Sequence, residues 1–282
     1  SKKRKNKKRG RPKGSKNRSK EDINLTGIFR VINWYLKRIA KEVKLPKNRY
    51  FVYDGMMGCN AGVVSVTKAG FHLISKLKSN STLYFKFEGE QKSRGRKRKY
   101  GEVIDFCNME DRYLKETIQE GDIETKIYQF EALSKSIYCA INVVLIVSKN
   151  LKTDKTSVTP LFCTDLNLEY KKIMDYYSLR FQIEFNFRDS KQFFGLEDFM
   201  NVTKRRVHNF ANLSLFMNNV TYLLSKTMKF KEYSINDLKT LFIAEKYAIE
   251  TLKLYGKNAD AILIDEAINQ ISEFAMIHKR VA

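Results

Sequence analysis

The chain has 282 residues, of which 43% are hydrophobic and 30% charged, and this composition excludes a wholly disordered or collagen-like protein. No apolar run approaches the roughly 18 residues that a membrane-spanning helix requires, which argues against a membrane protein. Lys and Arg number 53 against 31 Asp and Glu, and the resulting formal charge of +22 favours a polyanionic partner such as nucleic acid.

The first twenty residues form a basic tail, since twelve of them are Lys or Arg and none is acidic. Such a segment cannot bury a core, so we expect it to be disordered in isolation and to attract phosphates or act as a localisation signal. Within it, Arg9-Gly10-Arg11-Pro12 resembles the core of an AT-hook, whose arginines enter the narrow, strongly negative minor groove of A·T-rich DNA. Arg9 and Arg11 are therefore candidate DNA-binding residues.

Residues 21–78 have the pattern of an α/β layer. Apolar residues at helical spacing predict a helix from Asp22 to Val43, with one face buried through Ile28, Val31, Ile32, Tyr35, Ile39 and Val43. A strand, a second helix and another strand are expected over residues 50–55, 61–69 and 71–77. The first of these strands ends at Asp54, which is followed by Gly55.

Residues 79–164 predict a β-rich region, with strands over residues 82–87, 124–130, 141–147 and 157–162. The third strand is almost continuously apolar, which places it in the interior of a sheet. Between the first two strands, residues 92–99 contain six basic side chains in eight positions. We interpret this segment as a loop or hairpin tip that is either a solvated turn or a nucleic-acid contact, with Arg96 and Arg98 as candidates.

From about residue 166 the pattern is helical, with helices expected over residues 167–194, 203–228, 234–254 and 259–279; Ser234 and Asp237 resemble a capping box. At about 100° per residue, the first helix carries one polar stripe roughly 80° wide. Because the helix is otherwise apolar, we expect it to be buried, so that the stripe faces a metal or a bound anion. An ion pair between residues four positions apart accounts for the stripe equally well. The stripe contains Tyr177, Arg180, Glu184, Arg188 and Lys191.

The spacing of Tyr177, Arg180, Glu184 and Lys191 resembles the Tyr-Arg-Glu-Lys signature of DDE transposases from bacterial insertion sequences, in the insertion-sequence-four-like branch. Val52-Tyr53-Asp54-Gly55 is similar to the middle catalytic block of that family, in which an Asp-Gly pair ends a strand. Other segments that look like parts of this family are residues 9–17, 72–77, 180–189 and 195–199.

The resemblance implies an enzyme that cuts transposon DNA ends and joins them to target DNA, using carboxylates that hold Mg²⁺ or Mn²⁺. Asp54 would be the second catalytic carboxylate and Glu184 the third, and both would bind the metal. The DNA would be contacted by Tyr177, Arg180, Arg188 and Lys191. Expected partners are double-stranded DNA, both transposon ends and target, and a second copy of the chain on that DNA, in the cytoplasm at the nucleoid and without a membrane.

The fold class that the resemblance implies is α/β, with an RNase H-like core that is incomplete at its N-terminus. The expected parts are a basic tail (1–20), the first part of the core (21–78), a β-rich insertion (79–164), a core helix with the catalytic Glu (165–200) and a C-terminal helical region (201–282).

The first catalytic Asp of the family has no good counterpart, because nothing in residues 1–49 resembles the strand that carries it. Asp22 fits poorly at a helix start. Asp165, which ends a strand 19 residues before Glu184, is the remaining candidate for a third metal ligand; in that alternative it is the second Asp and Asp54 is the first. We therefore expect a truncated transposase copy that binds DNA without cleaving it. The alternative is a non-catalytic DNA-binding protein derived from a transposase.

Overall fold

The computed structural model describes residues 19–200, 202–227, 234–254, 264–266, 268 and 270–271. The chain divides into two compact units, one up to Arg180 and the other from Phe181 onward. In these described residues, none of the helices has the length and apolar character needed to cross a membrane.

The first unit is built on one eight-stranded sheet. Seven strands follow one another in the order β1-β2-β8-β7-β6-β3-β4, and β5 pairs with β6 beside that path. Among the described residues, the strands β1 and β2 pair in parallel, and all other neighbouring strands pair antiparallel. The elements are α1 (Gly27–Glu42), β1 (Tyr50–Val52), α2 (Asn60–Thr67), β2 (His72–Lys76), β3 (Tyr84–Lys86), β4 (Tyr100–Val103), β5 (Leu114–Glu120), β6 (Ile123–Leu133), β7 (Ala140–Asn150), β8 (Thr156–Cys163) and α3 (Tyr170–Ser178).

Both faces of the central strands are buried, as the apolar run of residues 141–147 predicts. Side chains alternate between the faces of a strand, so Val143 and Val144 enter two different cores. One core includes Phe162 and residues of α1 and α2; the other includes Leu161 and the fully buried Ile173 of α3. The mixed α/β class is thereby confirmed, and strands from residues 79–164 continue the same sheet as β1 and β2.

The predicted buried face of α1 is only partly correct. Ile32 and Leu36 are buried, but the other five residues of the predicted face are 42–54% exposed, namely Ile28, Val31, Tyr35, Ile39 and Val43. The reason is that α1 packs on α2 and the core through the side that carries Ile32 and Leu36, which is one edge of a wider apolar arc.

The helix predicted over residues 167–194 is two helices, because α3 ends at Ser178 and α4 covers Phe181–Phe194. The amides of Leu179 and Arg180 bond to the carbonyls of Tyr176 and Tyr177, three residues back, and this tighter 3₁₀-type turn interrupts the α-helix.

The second unit contains α4, α5 (Lys204–Thr227) and α6 (Ile235–Leu254). The amide of Asn218 on α5 donates to Ser190 Oγ (2.6 Å) and to the carbonyl of Asn186 (2.9 Å), which joins α5 to α4. Ser234 and Asp237 form the predicted cap of α6. Most of the helix predicted over residues 259–279 lies outside the described residues.

Candidate active site

Asp54 lies two residues after the end of β1, and its side chain is exposed to solvent. Its Oδ1 accepts a hydrogen bond from the amide of Met56 (2.9 Å) and so caps the short 3₁₀ helix Gly55–Met57. The Oγ of buried Ser75 on β2 donates to the Asp54 carbonyl (2.5 Å). The strand pair therefore fixes the position from which this carboxylate reaches solvent.

Two glycines that the sequence analysis did not single out shape the turn after Asp54. A Cβ placed on Gly58 would lie 2.6 Å from the Lys76 carbonyl oxygen, and one placed on Gly62 would lie 2.4 Å from the Met57 carbonyl oxygen. Both contacts are far closer than a carbon atom can approach an oxygen, so the main chain can pack this tightly only with glycine. The repeat of Gly at positions 55, 58 and 62 after an Asp was the available sequence signal.

Tyr177 and Arg180, at and just after the end of α3, belong to the same neighbourhood as Asp54. Partial burial raises the pKa of the Tyr177 hydroxyl; the Arg180 guanidinium opposes this with its charge and with a hydrogen bond, and the Asp54 carboxylate raises that pKa further. Both side chains are half-buried. The first unit thus brings Asp54 close to Tyr177 and Arg180, although Tyr177 follows Asp54 by 123 positions in the sequence.

This group of three offers two kinds of chemistry in one place. An exposed carboxylate is the hard oxygen ligand that Mg²⁺ prefers. A guanidinium and a phenol hydroxyl beside it are donors suited to phosphate oxygens. Neither α3 nor β1 provides this combination alone, because it arises where the strand pair and the helix end meet.

Asp165, the candidate third carboxylate, lies near the other end of β1. Its Oδ2 accepts a hydrogen bond from the Tyr50 hydroxyl (2.7 Å), and its Oδ1 accepts one from the Asn167 amide (3.0 Å). Partial burial raises the pKa of Asp165, but the two hydrogen bonds and the charge interaction with His72 together outweigh it, and the pKa is lowered. Tyr50 begins β1 and Asp54 follows it, so about 13 Å of strand separates the two positions at ~3.3 Å per residue.

The strand directions place Asp165 and Asp54 at opposite ends of β1. Because β8 runs antiparallel to β2, and β2 parallel to β1, the end of β8 meets the beginning of β1. Asp22, the weaker candidate, is exposed in a bend before α1. Among the described residues, no three side chains of His, Cys, Asp or Glu converge to hold a metal ion.

Glu184, Arg188 and Lys191 lie on α4 in the second unit, and all three are exposed. The Lys191 ammonium lies 2.7 Å from a carboxylate oxygen of Glu197, and Arg188 lies 2.9 Å from a carboxylate oxygen of Asp189. Arg188 also stacks over the Phe185 ring at 5.0 Å from its centroid. The two cations of this helix are thus engaged by neighbours in the sequence.

The expected burial of this helix is wrong for the described residues. Ser190 is the buried residue of α4, whereas four apolar side chains are 44–48% exposed, namely Phe181, Ile183, Phe185 and Phe187. The single stripe from Tyr177 to Lys191 also does not exist as one helical face, since the 3₁₀-type turn at Leu179–Arg180 interrupts the periodicity.

The predicted DNA-binding arginines outside this region fall in two places. Arg9 and Arg11 lie outside the described residues. Arg96 and Arg98 lie in the exposed loop between β3 and β4, as expected for residues 92–99. Arg98 has structural contacts there, because its Nε donates to the Tyr100 carbonyl (3.0 Å) and its guanidinium stacks over Phe87 at 4.5 Å.

Comparison with known proteins gives one family assignment. A family model described as the transposase DDE domain matches residues 31–220, roughly two thirds of the chain, including Asp54 and all of α4. No curated protein and no solved structure matches the chain significantly.

Proposed function

We propose a function from the premise that this chain belongs to the DDE transposase family, whose members cut and join DNA with the help of divalent metal ions. The observation that carries the proposal is the group formed by Asp54, Tyr177 and Arg180 at the end of β1. In our proposal the chain is a transposase of the insertion-sequence-four-like branch that acts on the double-stranded ends of its transposon.

Asp54 and Glu184 are the proposed metal ligands. Their assignment rests on the resemblance of residues 52–55 and 180–189 to the middle and last catalytic blocks of the family. Carboxylate oxygens suit Mg²⁺ or Mn²⁺, and the exposure of both side chains leaves room for water and phosphate as further ligands. When bound, these ions supply activation of the attacking hydroxyl and neutralisation of charge on the leaving oxygen.

The remaining residues of the signature hold the DNA in this proposal. Arg180, beside Asp54, would bind a phosphate oxygen through its guanidinium, and Tyr177 would orient Arg180 through their hydrogen bond. Arg188 and Lys191 would exchange their carboxylate neighbours for DNA phosphates. Because exposed ion pairs contribute only about 0–1 kcal/mol, such an exchange costs little.

The architecture is compatible with the fold proposed from the family, an RNase H-like core. The first part of the core, residues 21–78, would contain α1, α2 and the parallel pair β1–β2, and its later part, residues 165–200, would contain α3 and α4. The strands β3–β8 would form the β-rich insertion, residues 79–164. A homodimer assembled on DNA is part of the same proposal.

The proposal is tested by mapping the metal site with Fe²⁺ in place of Mg²⁺ in the 282-residue chain. Ascorbate and peroxide generate hydroxyl radicals at a bound iron, and these cut the nearest main chain. We expect fragments that end near residues 54 and 184, and we expect both sets to disappear in Asp54→Asn and in Glu184→Gln. Asp165→Asn is the matched control and should keep both sets of fragments.

Cuts that persist in both variants, or cuts near residue 165 alone, would remove Asp54 and Glu184 from the metal site. DNA binding without any localised cut would favour the alternative of a transposase-derived DNA-binding protein. In a version of the protein that cleaves DNA, Glu184→Gln should lower the cleavage rate by on the order of 10³-fold while duplex binding is unchanged. Undiminished cleavage by that variant would contradict its catalytic role.

A further inference from the structure

The edge of β6 that faces away from β7 is shared by two strands and is open between them. β6 pairs with β7 along its whole length, from Ile123 to Leu133. On the other side, β5 pairs with β6 as far as Tyr128, and β3 pairs with it at Leu133. In the described sheet, residues 129–132 therefore have no strand partner on that side. At ~3.3 Å per residue, this gap is about 13 Å long.

The strands on either side of the gap are paired irregularly where they border it. The register of β5 with β6 shifts between Leu114 and Glu116, and the register of β3 with β4 shifts between Tyr84 and Lys86. Bulges of this kind bend a strand and increase its twist, so that the strand leaves its neighbour. The gap is therefore built into the sheet by the local geometry of β3 and β5.

The gap opens into a cleft of about 700 Å³, which we name the fork cleft. Residues of β3, of β4, of the turn before β5 and of β6 line it, and the β6 residue is Glu131. Glu131 is exposed in the middle of its strand, whereas Gln129 and Leu133, two positions away on the same face, are half-buried. This pattern of exposure agrees with a missing neighbour beside Glu131.

One wall of the fork cleft is aromatic. Phe85 and Tyr113 stack with their ring centroids 5.1 Å apart, and both contact the ring of buried Phe130, at 5.9 and 5.7 Å. These rings rest on the core and are only partly covered, so they offer an apolar surface to a side chain that enters the cleft.

The charged lining of the fork cleft carries more free carboxylates than free cations. Arg112 is paired with Glu110, since its Nε and a terminal nitrogen lie 3.0 and 3.1 Å from the two carboxylate oxygens. Arg98 is held by Phe87 and the Tyr100 carbonyl, as described above. Among the described residues, one cation and three carboxylates of the lining have no ion pair, namely Lys86, Glu88, Glu102 and Glu131.

This excess of carboxylates contrasts with the formal charge of +22 of the whole chain. Free carboxylates repel phosphates and attract ammonium and guanidinium groups, so the fork cleft favours a cationic ligand over DNA. The described carboxylates do not converge as a metal site. An open strand edge beside an aromatic wall adds a requirement for main-chain donors and acceptors, which a polypeptide satisfies.

We propose that the fork cleft is a docking site for a protein partner that presents an extended basic segment, which adds to the open edge of β6 as a short strand. Main-chain groups of residues 129–132 bind this strand, as in other proteins that recognise peptides at a sheet edge. Because side chains alternate along a strand, its apolar side chains lie on the aromatic wall and its Lys or Arg side chains face Glu131.

The test measures binding of a fluorescent peptide, Lys-Val-Lys-Val-Lys blocked at both ends, to the full chain by anisotropy at about 0.15 M salt. Two further peptides carry methyl groups on the main-chain nitrogens of the valines or of the lysines, which removes donors without changing the charge. The cleft variant combines Glu102→Gln with Glu131→Gln. The control, Glu120→Gln with Glu124→Gln, removes the same charge where β5 and β6 are paired. Circular dichroism verifies that each variant is folded.

We expect one peptide per chain. A strand offers alternate main-chain groups to a sheet edge, so methylation of one set of nitrogens should weaken binding at least about tenfold, and methylation of the other set should change it little. The cleft variant should weaken binding by about three- to tenfold, as expected for two partly exposed ion pairs, and the control should leave it unchanged. Main-chain amides within residues 129–132 should exchange with solvent more slowly when the peptide is bound.

Equal affinities of the two methylated peptides would overturn the addition of a strand. A wild-type chain that does not bind the basic peptide, or a cleft variant that behaves like the control, would overturn the site. Displacement of the peptide by an equal concentration of spermidine would replace the protein partner with a polyamine and would overturn the proposal as well. These measurements contain neither metal nor DNA, so their failure is separable from failure of the proposed function.

Discussion

The residues of the Tyr-Arg-Glu-Lys pattern lie in two regions that hold them in different ways. Tyr177 and Arg180 belong to the first unit, where α3 is anchored on the sheet by fully buried Ile173. Glu184 and Lys191 belong to α4, an exposed helix on which Lys191 is paired with nearby Glu197. A pattern that is continuous in sequence is thus divided between a neighbourhood built by long-range packing and one built by local pairs.

This difference indicates that the part of the pattern in the first unit, Tyr177 and Arg180 near Asp54, is the preorganised part. The positions of Asp54, Tyr177 and Arg180 follow from strand pairing and core packing, which a ligand cannot easily rearrange. The cations of α4 are held by exposed ion pairs of low energy, which a phosphate can replace. We therefore expect mutations near Asp54 to affect stability, and mutations on α4 to affect mainly DNA affinity.

The largest effect should come from crowding the turn behind Asp54. In Gly62→Ala the added methyl group would meet the Met57 carbonyl oxygen at 2.4 Å, and we expect a loss of roughly 1–3 kcal/mol in the free energy of unfolding. Gly→Ala within a helix otherwise adds about 1 kcal/mol of stability, so a loss shows that the contact dominates. Urea denaturation followed by fluorescence of Trp34, the single tryptophan, measures it.

Gly55→Ala is the matched control for this prediction. Its added carbon would lie 3.5 Å from the Lys76 carbonyl oxygen, an ordinary contact distance, and the stability should stay within about 1 kcal/mol of the wild type. Equal effects of the two substitutions would mean that the turn is not rigid, and the contrast between the two regions would disappear.

The sequence predicted most elements of the sheet and its layers because periodicity is a local signal. The apolar run at residues 141–147 predicted β7 and its place in the interior of the sheet. The strands β4 and β5 were missed, since Tyr100–Val103 is short and five of the seven residues of Leu114–Glu120 are charged or polar. Such strands form because β3 and β6 offer them partners, and this information is not local.

The candidate site was predictable as a set of residues but not as a geometry. The Asp-Gly pair at residues 54–55 and the spacing from Tyr177 to Lys191 pointed to the positions. The turn at Leu179–Arg180 was not predictable, because no Gly or Pro marks it and the same sequence is compatible with a continuous helix. Asp165 follows β8, so the direction of β8 decides which end of β1 it lies near. That direction is a property of the sheet topology and not of the local sequence.

An intermediate effect should be seen in the pKa of two tyrosines. Asp54→Asn removes a negative charge that raises the pKa of Tyr177, so that pKa should fall; Arg180→Leu removes a positive charge and should raise it. NMR titration of ¹³C-labelled tyrosine measures both, with Tyr177→Phe to assign the signal.

Asp165→Asn provides the matched control for this titration, because Asp165 is bonded to Tyr50 at the other end of β1. Burial and then Asp165 raise the pKa of Tyr50, so the substitution should lower that pKa and leave the pKa of Tyr177 unchanged. If Asp54→Asn shifted Tyr50 rather than Tyr177, the group at the end of β1 would not be the preorganised half of the site.

The smallest effect should come from releasing Lys191 on α4. Gln has nearly the same shape as Glu, so Glu197→Gln adds no strain at this position, where the backbone φ is 84°. The substitution removes the negative charge that lies 2.7 Å from the Lys191 ammonium. Since exposed ion pairs contribute about 0–1 kcal/mol, the free energy of unfolding should change by less than ~1 kcal/mol. Duplex DNA should bind more tightly, and the slope of log affinity against log salt should be steeper by about 1, because one more cation is available to a phosphate.

In a Lys191→Ala background the same substitution should have no effect on the slope. A steeper slope that persists without Lys191 would show that Glu197 acts by general repulsion of DNA, and the pair on α4 would then not be the exchangeable contact that distinguishes this helix from the end of β1.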